Sequence, residues 1–311
     1  MQHHIEMIVP MRIAHLSDLH LSPDHFPERT DAFYEILHKC RALKADHIGI
    51  TGDITNQARP KEFAHARGIL KEFGLLDPEK LTVTIGNHDI FGGPYFAEDV
   101  LSFPGTCRST DYESKVKEFH AAFRETFEGS SYFSGPSVFP FVKTVKDVVF
   151  AGINSVSRWN SLTNPLGSNG RVEKEQVRRL KEVLSSAAVK QRTLLVLIHH
   201  HFRRTEAPAS AGTLQKVWNT IESGTMKLWK KKRLVALFRE VGAAAVLHGH
   251  VHDHEAYERK KVSFLNAGAT MLAAGDGQRR FHLLHAGAER VEHADIRMTP
   301  YHRSKRTAAL A

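Results

Sequence analysis

Short apolar runs alternate with amphipathic stretches along the first ninety residues. Met11–Ser17, His47–Thr51 and Leu81–Ile85 read as strands. Between them, Asp31–Leu43 puts Phe33, Ile36, Leu37 and Cys40 on one helical face, and Lys61–Phe73 is a second helical stretch. This β-α-β-α-β order predicts parallel strands joined by crossover helices. Phe91–Pro140, rich in aromatics, Gly, Pro and Ser, breaks the pattern and is expected to insert loops and helices over the strand ends. Phe141–Val145 and Val148–Ile153 flank Lys146-Asp147 as a hairpin. Glu173–Leu184 reads as a helix with a charged outer face, Thr193–Ile198 as a very apolar strand, Lys227–Val241 as a helix and Ala243–Leu247 as a strand. The segments His254–Tyr257, Val262–Asn266, Phe281–His285 and Val291–Ile296 are expected to be antiparallel strands.

The 311 residues suffice for one large domain. Residues 11–298 are expected to form it, with insertions at about 91–140 and 203–233 and flexible ends at 1–10 and 299–311. No stretch approaches the roughly 20 apolar residues that span a bilayer, and the first residues lack the basic start and apolar region of a secretory signal. The two cysteines, Cys40 and Cys107, have no metal-type spacing. A reducing, cytoplasmic location is therefore expected. The net charge of +9 favours anionic partners: nucleotides, nucleic acid or acidic lipid.

Five of the apolar runs end in groups that bind metals: Asp18/His20, Asp53, Asn87/His88, His199/His200 and His250/His252. Ligands of α/β sheets gather beyond the carboxyl ends of the strands, so five such ends side by side would form one cleft. Asp18 and His20 are two residues apart, as are His250 and His252, and an extended chain would turn each pair to one side. Gly52, Gly86 and Gly249 directly precede Asp53, Asn87 and His250 and would permit sharp turns there.

Ser17-Asp18-Leu19-His20, Gly52-Asp53, Gly86-Asn87-His88-Asp89, His199-His200 and Gly249-His250-Val251-His252 resemble, in order, the five motifs of the calcineurin-like metallophosphoesterase superfamily. In look the chain is most similar to the branch with class III cyclic-nucleotide phosphodiesterases. The resemblance implies an α/β fold, a four-layer α/β/β/α sandwich. It also implies a centre of two divalent or trivalent transition-metal ions, of which Mn, Fe and Zn suit carboxylate, amide and imidazole donors. Asp18, His20, Asp53 and His252 would hold the first ion, and Asp53, Asn87, His199 and His250 the second. The two ions would share a hydroxide that attacks phosphorus in line. By the same resemblance His88 contacts phosphate and protonates the leaving oxygen, and Asp89 is expected to orient its ring. His201 stands where the family usually has Pro. His200, His201, His248 and His254 are expected to be spectators, with His200 also able to hydrogen-bond behind the ligands or face substrate.

The implied enzyme is a phosphoric ester hydrolase acting on a small phosphorylated substrate, foremost a phosphodiester of cyclic-nucleotide or glycerophosphodiester type. A pyrophosphate hydrolase for a nucleotide-lipid, a DNA nuclease and a metal-free binding scaffold are the alternatives. Nucleic acid is disfavoured because the chain has no added C-terminal region to clamp it. Arg158, Arg171, Arg203 and Arg204 are candidates for pairing with phosphate. The stretch with Lys227, Trp229 and Lys230-Lys231-Lys232-Arg233 admits peripheral contact with an anionic membrane, although packing of Leu234, Leu237 and Phe238 on the sheet is preferred.

Overall fold

A computed structural model describes residues 10–93, 99–134, 137–203, 226–287 and 291–299. The proposed flexible ends, save Pro10 and Thr299, and most of the 203–233 insertion, including Arg204, lie outside these residues.

Strands β1 (Met11–Leu16), β2 (His47–Thr51) and β3 (Leu81–Thr84) are parallel neighbours, as the alternating pattern predicts. Between them run α1 (Pro27–Ala42) and α2 (Pro60–Glu72), each opening on a proline at its first turn, where no backbone N–H is lost. The chain then adds α3 (Asp99–Ser109), α4 (Tyr112–Ala122), β4 (Ser131–Ser134), β5 (Ser137–Val145), β6 (Val148–Ile153) and β7 (Gly170–Arg171). It continues with α5 (Lys174–Leu184), α6 (Ala187–Lys190), β8 (Thr193–Ile198), β9 (Leu228–Trp229), α7 (Lys231–Glu240) and β10 (Ala245–His248). Last come β11 (Glu255–Arg259), β12 (Val262–Asn266), β13 (Arg279–Ala286) and β14 (Val291–Met298).

One sheet has the order β14-β13-β1-β2-β3 and the other β11-β12-β10-β8-β6-β5-β4. Three apolar layers separate four structural ones. Phe33, Ile36, Phe63 and Ile69 of α1 and α2 pack on Leu16 and Ile50 of the first sheet. Ile13 and Leu284 meet Phe150, Leu197 and Leu247 between the sheets. Val149, Val196 and Ile198 on the far face of the second sheet meet Leu180, Leu184, Leu234 and Phe238 of α5 and α7. Val149 and Phe150 thus face opposite ways, which is why these strands are apolar throughout. The fold is the expected α/β/β/α sandwich.

Three local expectations need correction. β12 runs parallel to β10, not antiparallel, although its other neighbour β11 is antiparallel. The predicted helix from Lys227 begins only at Lys231: Leu228–Trp229 pairs with Gly170–Arg171 as a small parallel ribbon, and Lys230 takes a left-handed turn at φ 58°. The segment expected as an insertion at 91–140 also contributes β4 and the start of β5 to the second sheet, and the remainder holds α3 and α4. Leu234, Leu237 and Phe238 are buried as preferred. No helix among the described residues is long and apolar enough to cross a membrane.

Candidate metal centre

All seven proposed ligands meet where β1, β2, β3, β8 and β10 end. Donor atoms of Asp18, His20 and His252 lie within 4.8 Å of one another, as do those of His20, Asp53 and His88, and those of Asp53, His199 and His250. Asn87 Oδ1 joins the last group, 3.1 Å from His199 Nε2. His250 and His252 therefore serve opposite sides of the cluster despite being two residues apart.

The local backbone is not the extended chain expected. Asp18, His20, Asp53 and His250 all have positive φ, at 52°, 45°, 51° and 74°. Each such residue costs on the order of 1–3 kcal/mol, and strain of this kind collects at functional sites. Backbone bonds bind the first two loops together: Asp18 N donates to Gly52 O, His20 N to Asp53 O and Leu21 N to Ile54 O. The glycines act differently from one another. Gly52, at φ 90°, needs its backbone freedom. Gly86 and Gly249 instead supply space, since a Cβ on either would lie 2.2 Å from a carboxylate oxygen of Asp53 or Asp18.

His199 shows whether a cation fits. Its Nδ1 lies 2.8 Å from Thr51 O, which fixes a proton there and turns Nε2 to the cluster. Without a metal, burial is outweighed by the charges of Asp53 and Asp18, which push this imidazole up to about 9, so that it holds a second proton where a cation would sit. Around Nε2 sit Asn87 Oδ1 at 3.1 Å, His250 Nδ1 at 3.1 Å and Asp53 Oδ2 at 3.2 Å. One proton could satisfy a single such contact, whereas a cation among them satisfies all. On the other side, His20 Nε2 is 3.3 Å from His252 Nε2, and the buried His20 Nδ1 and His250 Nε2 have no hydrogen-bond partner. Burial, together with the charge of Asp53, pushes the Asp18 carboxyl up to about 7, partly offset by His199. Burial acts on Asp53 in the same sense, but His199 and His88 hold it below the usual carboxylate range. Burial drives His20 and His250 well below the ordinary imidazole value, so they are neutral donors. Neutral imidazoles and carboxylates in need of positive charge fit a transition metal.

His88 and Asp89 divide as expected in one respect only. The His88 backbone N–H donates to Asp53 Oδ1 at 2.8 Å, and its Nδ1 lies 3.0 Å from Asn56 O, leaving Nε2 for chemistry. Asp89 does not orient that ring. Its Oδ1 accepts from Thr55 N and Thr55 Oγ1 at 2.9 and 3.0 Å, and its Oδ2 accepts from Gly86 N at 3.0 Å. It braces the loops that carry Asp53 and Asn87. The residue that orients His88 is Asn56, and the one that orients His199 is Thr51; both act through main-chain carbonyls, which leave no mark in sequence.

His200 lies behind the ligands, with Nδ1 2.8 Å from Ser155 Oγ and Nε2 3.2 Å from Ser168 O. His201 is buried and stacks on His250 at 5.8 Å between ring centroids. His248 meets Tyr257 Oη at 3.0 Å, and His254 Nε2 lies 2.9 Å from Asp295 Oδ1. Of the arginines, Arg158 pairs with Glu113 and Arg203 with Glu255. Beyond His252 opens a cavity of about 490 Å³, lined by Asp253, His254, Leu272, Asp276 and Arg280 among others.

Comparisons with known proteins bear on the family and the fold. Residues 11–254 match the calcineurin-like phosphoesterase family. No curated protein matches in sequence. Among solved structures, a dimetal phosphatase from Danio rerio is similar at 11% identity and TM-score 0.55, over 91% of this chain and 98% of that one. The anchor GAP50 of the Plasmodium inner membrane complex gives 12% and 0.49 over 93% and 85%. The phosphopantetheinyl hydrolase of Mycobacterium tuberculosis gives 12% and 0.49 over 84% and 89%. At these identities the first likeness speaks to fold alone, and nothing rests on the other two. With its family matched from β1 to just past His252, the chain belongs to the calcineurin-like phosphoesterases, a family of phosphoric ester hydrolases.

Proposed function

We propose that residues 11–298 act as one catalytic domain that hydrolyses a small phosphodiester with two metal ions. Asp18, His20, Asp53 and His252 would hold the first ion, and Asp53, Asn87, His199 and His250 the second. The observation that carries this reading is the place of Asp53, whose donor atoms belong to two of the three clusters. Bound ions would supply Lewis-acid polarisation of the phosphoryl oxygens and a nucleophile at neutral pH.

The chain's own side chains supply the remainder. Thr51 O holds the His199 ring at Nδ1, the Gly86 N–H holds the Asp89 carboxylate, and the His250 N–H holds that of Asp18. His88, anchored at Nδ1, would present Nε2 to a phosphoryl oxygen and deliver a proton to the departing alkoxide. A diester needs room for two substituents. The cavity beside His252 offers room for one of them.

The test is hydrolysis of bis-p-nitrophenyl phosphate by the purified protein, before and after chelation and on adding back Mn, Fe or Zn. We expect activity that disappears with the metal and returns with at least one of the three. Folded protein that stays inert with every metal would sink the proposal.

A further inference from the structure

A second cavity lies outside the metal cluster and shares none of its ligands. It measures about 360 Å³ and is lined by Ser157, Arg158, Trp159, Asn160, Thr163, Arg171, Glu173, Trp229 and Lys230. Two of the chain's three tryptophans meet here, seventy residues apart in sequence, because the β7–β9 ribbon brings their segments together. Trp159 is fixed by its Nε1 bond to Pro165 O at 3.2 Å, whereas Trp229 leaves 44% of its surface exposed. Trp229 thus offers a partly exposed indole to the cavity, while the Trp159 ring has the Arg108 guanidinium 5.9 Å from its centroid.

The polar lining is cationic: Arg158, Arg171 and Lys230 against Glu173. Arg158 is engaged with Glu113. Arg171 and Lys230 have no ion-pair partner among the described residues.

We propose that this cavity binds a nucleotide: a planar base against the tryptophans and a phosphate on Arg171 and Lys230. The volume falls within the range of small-ligand pockets. Bases stack on indoles whatever their identity, and guanidinium is the usual partner of phosphate. The site does not depend on the catalytic assignment. Gly170, the neighbour of Arg171 in sequence, packs on the His200 ring, which lies 4.2 Å from His250 between centroids.

Isothermal titration calorimetry with adenosine 5′-monophosphate on the full chain tests this, with chromatography to verify that the nucleotide stays intact. We expect saturable binding, weaker with adenosine and weaker with ribose 5-phosphate, each of which lacks one half of the ligand. Trp229→Ala should weaken it by about tenfold or more, the weight of one lost stack, and Arg171→Ala should weaken it too. His88→Ala should leave it unchanged. The proposal is overturned by absence of saturation, by ribose 5-phosphate binding as well as the nucleotide, or by Trp229→Ala binding like the natural chain. It is likewise overturned if His88→Ala abolishes binding, which would put the nucleotide in the catalytic cluster.

Discussion

Gly249→Ala tests how closely the ligand loops are fitted together. The added Cβ would lie 1.9 Å from Ser17 Oγ and 2.2 Å from Asp18 Oδ2, where ordinary contact begins at 3.4 Å. Neither partner can retreat freely. Ser17 Oγ donates to Thr51 O at 3.2 Å, and the Asp18 carboxylate accepts the His250 N–H at 3.0 Å. The carboxylate must therefore move by about 1 Å, and a displacement of that size at a reacting centre can cost about 10²-fold in rate. Overpacking itself costs about 1–3 kcal/mol. Gly68→Ala is the control: it sits in α2, exposed, with nothing within 4 Å of the new Cβ, and should stabilise by up to about 1 kcal/mol. The assay is kcat on bis-p-nitrophenyl phosphate, with bound metal per chain and urea midpoint. A Gly249→Ala protein with full activity and full metal content would refute the claim that Asp18 is held in a working position by this contact.

His88→Ala should lower turnover by about 10²–10⁴-fold, the usual weight of a general acid, while metal content stays constant by mass spectrometry; loss of metal would make His88 a ligand instead. Burial holds both His47 and His282 down to about 3 against an ordinary 6.5. Between those values only the unfolded chain binds these protons, so stability is complete above about pH 6.5 and falls as pH drops toward 3, by up to about 1.4 kcal/mol per unit and group. Urea midpoints in chelator from pH 7 to 4 should show that slope, and His47→Gln should flatten it; an unchanged slope would count against His47. Lys143 is buried, which pushes its pKa down to about 7, yet its Nζ donates to the carbonyls of Pro78, Leu81 and Thr126 at 2.6–2.8 Å. Lys143→Met orphans all three and should destabilise by about 3 kcal/mol or more, read from the urea midpoint, while a neutral result would mean that water replaces the ammonium.

The strands that carry the ligands were legible because apolar runs such as Thr193–Ile198 are buried on both faces and end abruptly in polar groups. Which ligands group together followed from the family resemblance, since His250 and His252 look equivalent in sequence. Their separation is a product of backbone conformation: left-handed φ at His250 turns the chain in a way that residue spacing does not encode. Leu228–Trp229 was hidden inside a helical pattern because its pairing with Gly170–Arg171 is a long-range contact that overrides local periodicity. Asp89 misled for a related reason: adjacency to His88 suggested a partnership, whereas its carboxylate reaches across to Thr55. The internal Pro104 and the irregular composition left the bounds of α3 unmarked within the expected insertion of loops and helices, although its C-terminal part buries Cys107 against the core.

Anomalous X-ray diffraction from crystals grown with Mn measures the sharing of Asp53 most directly. Two peaks about 3.5–4 Å apart, with the Asp53 carboxylate touching both, are expected. A single peak, or a pair that Asp53 does not join, would contradict it.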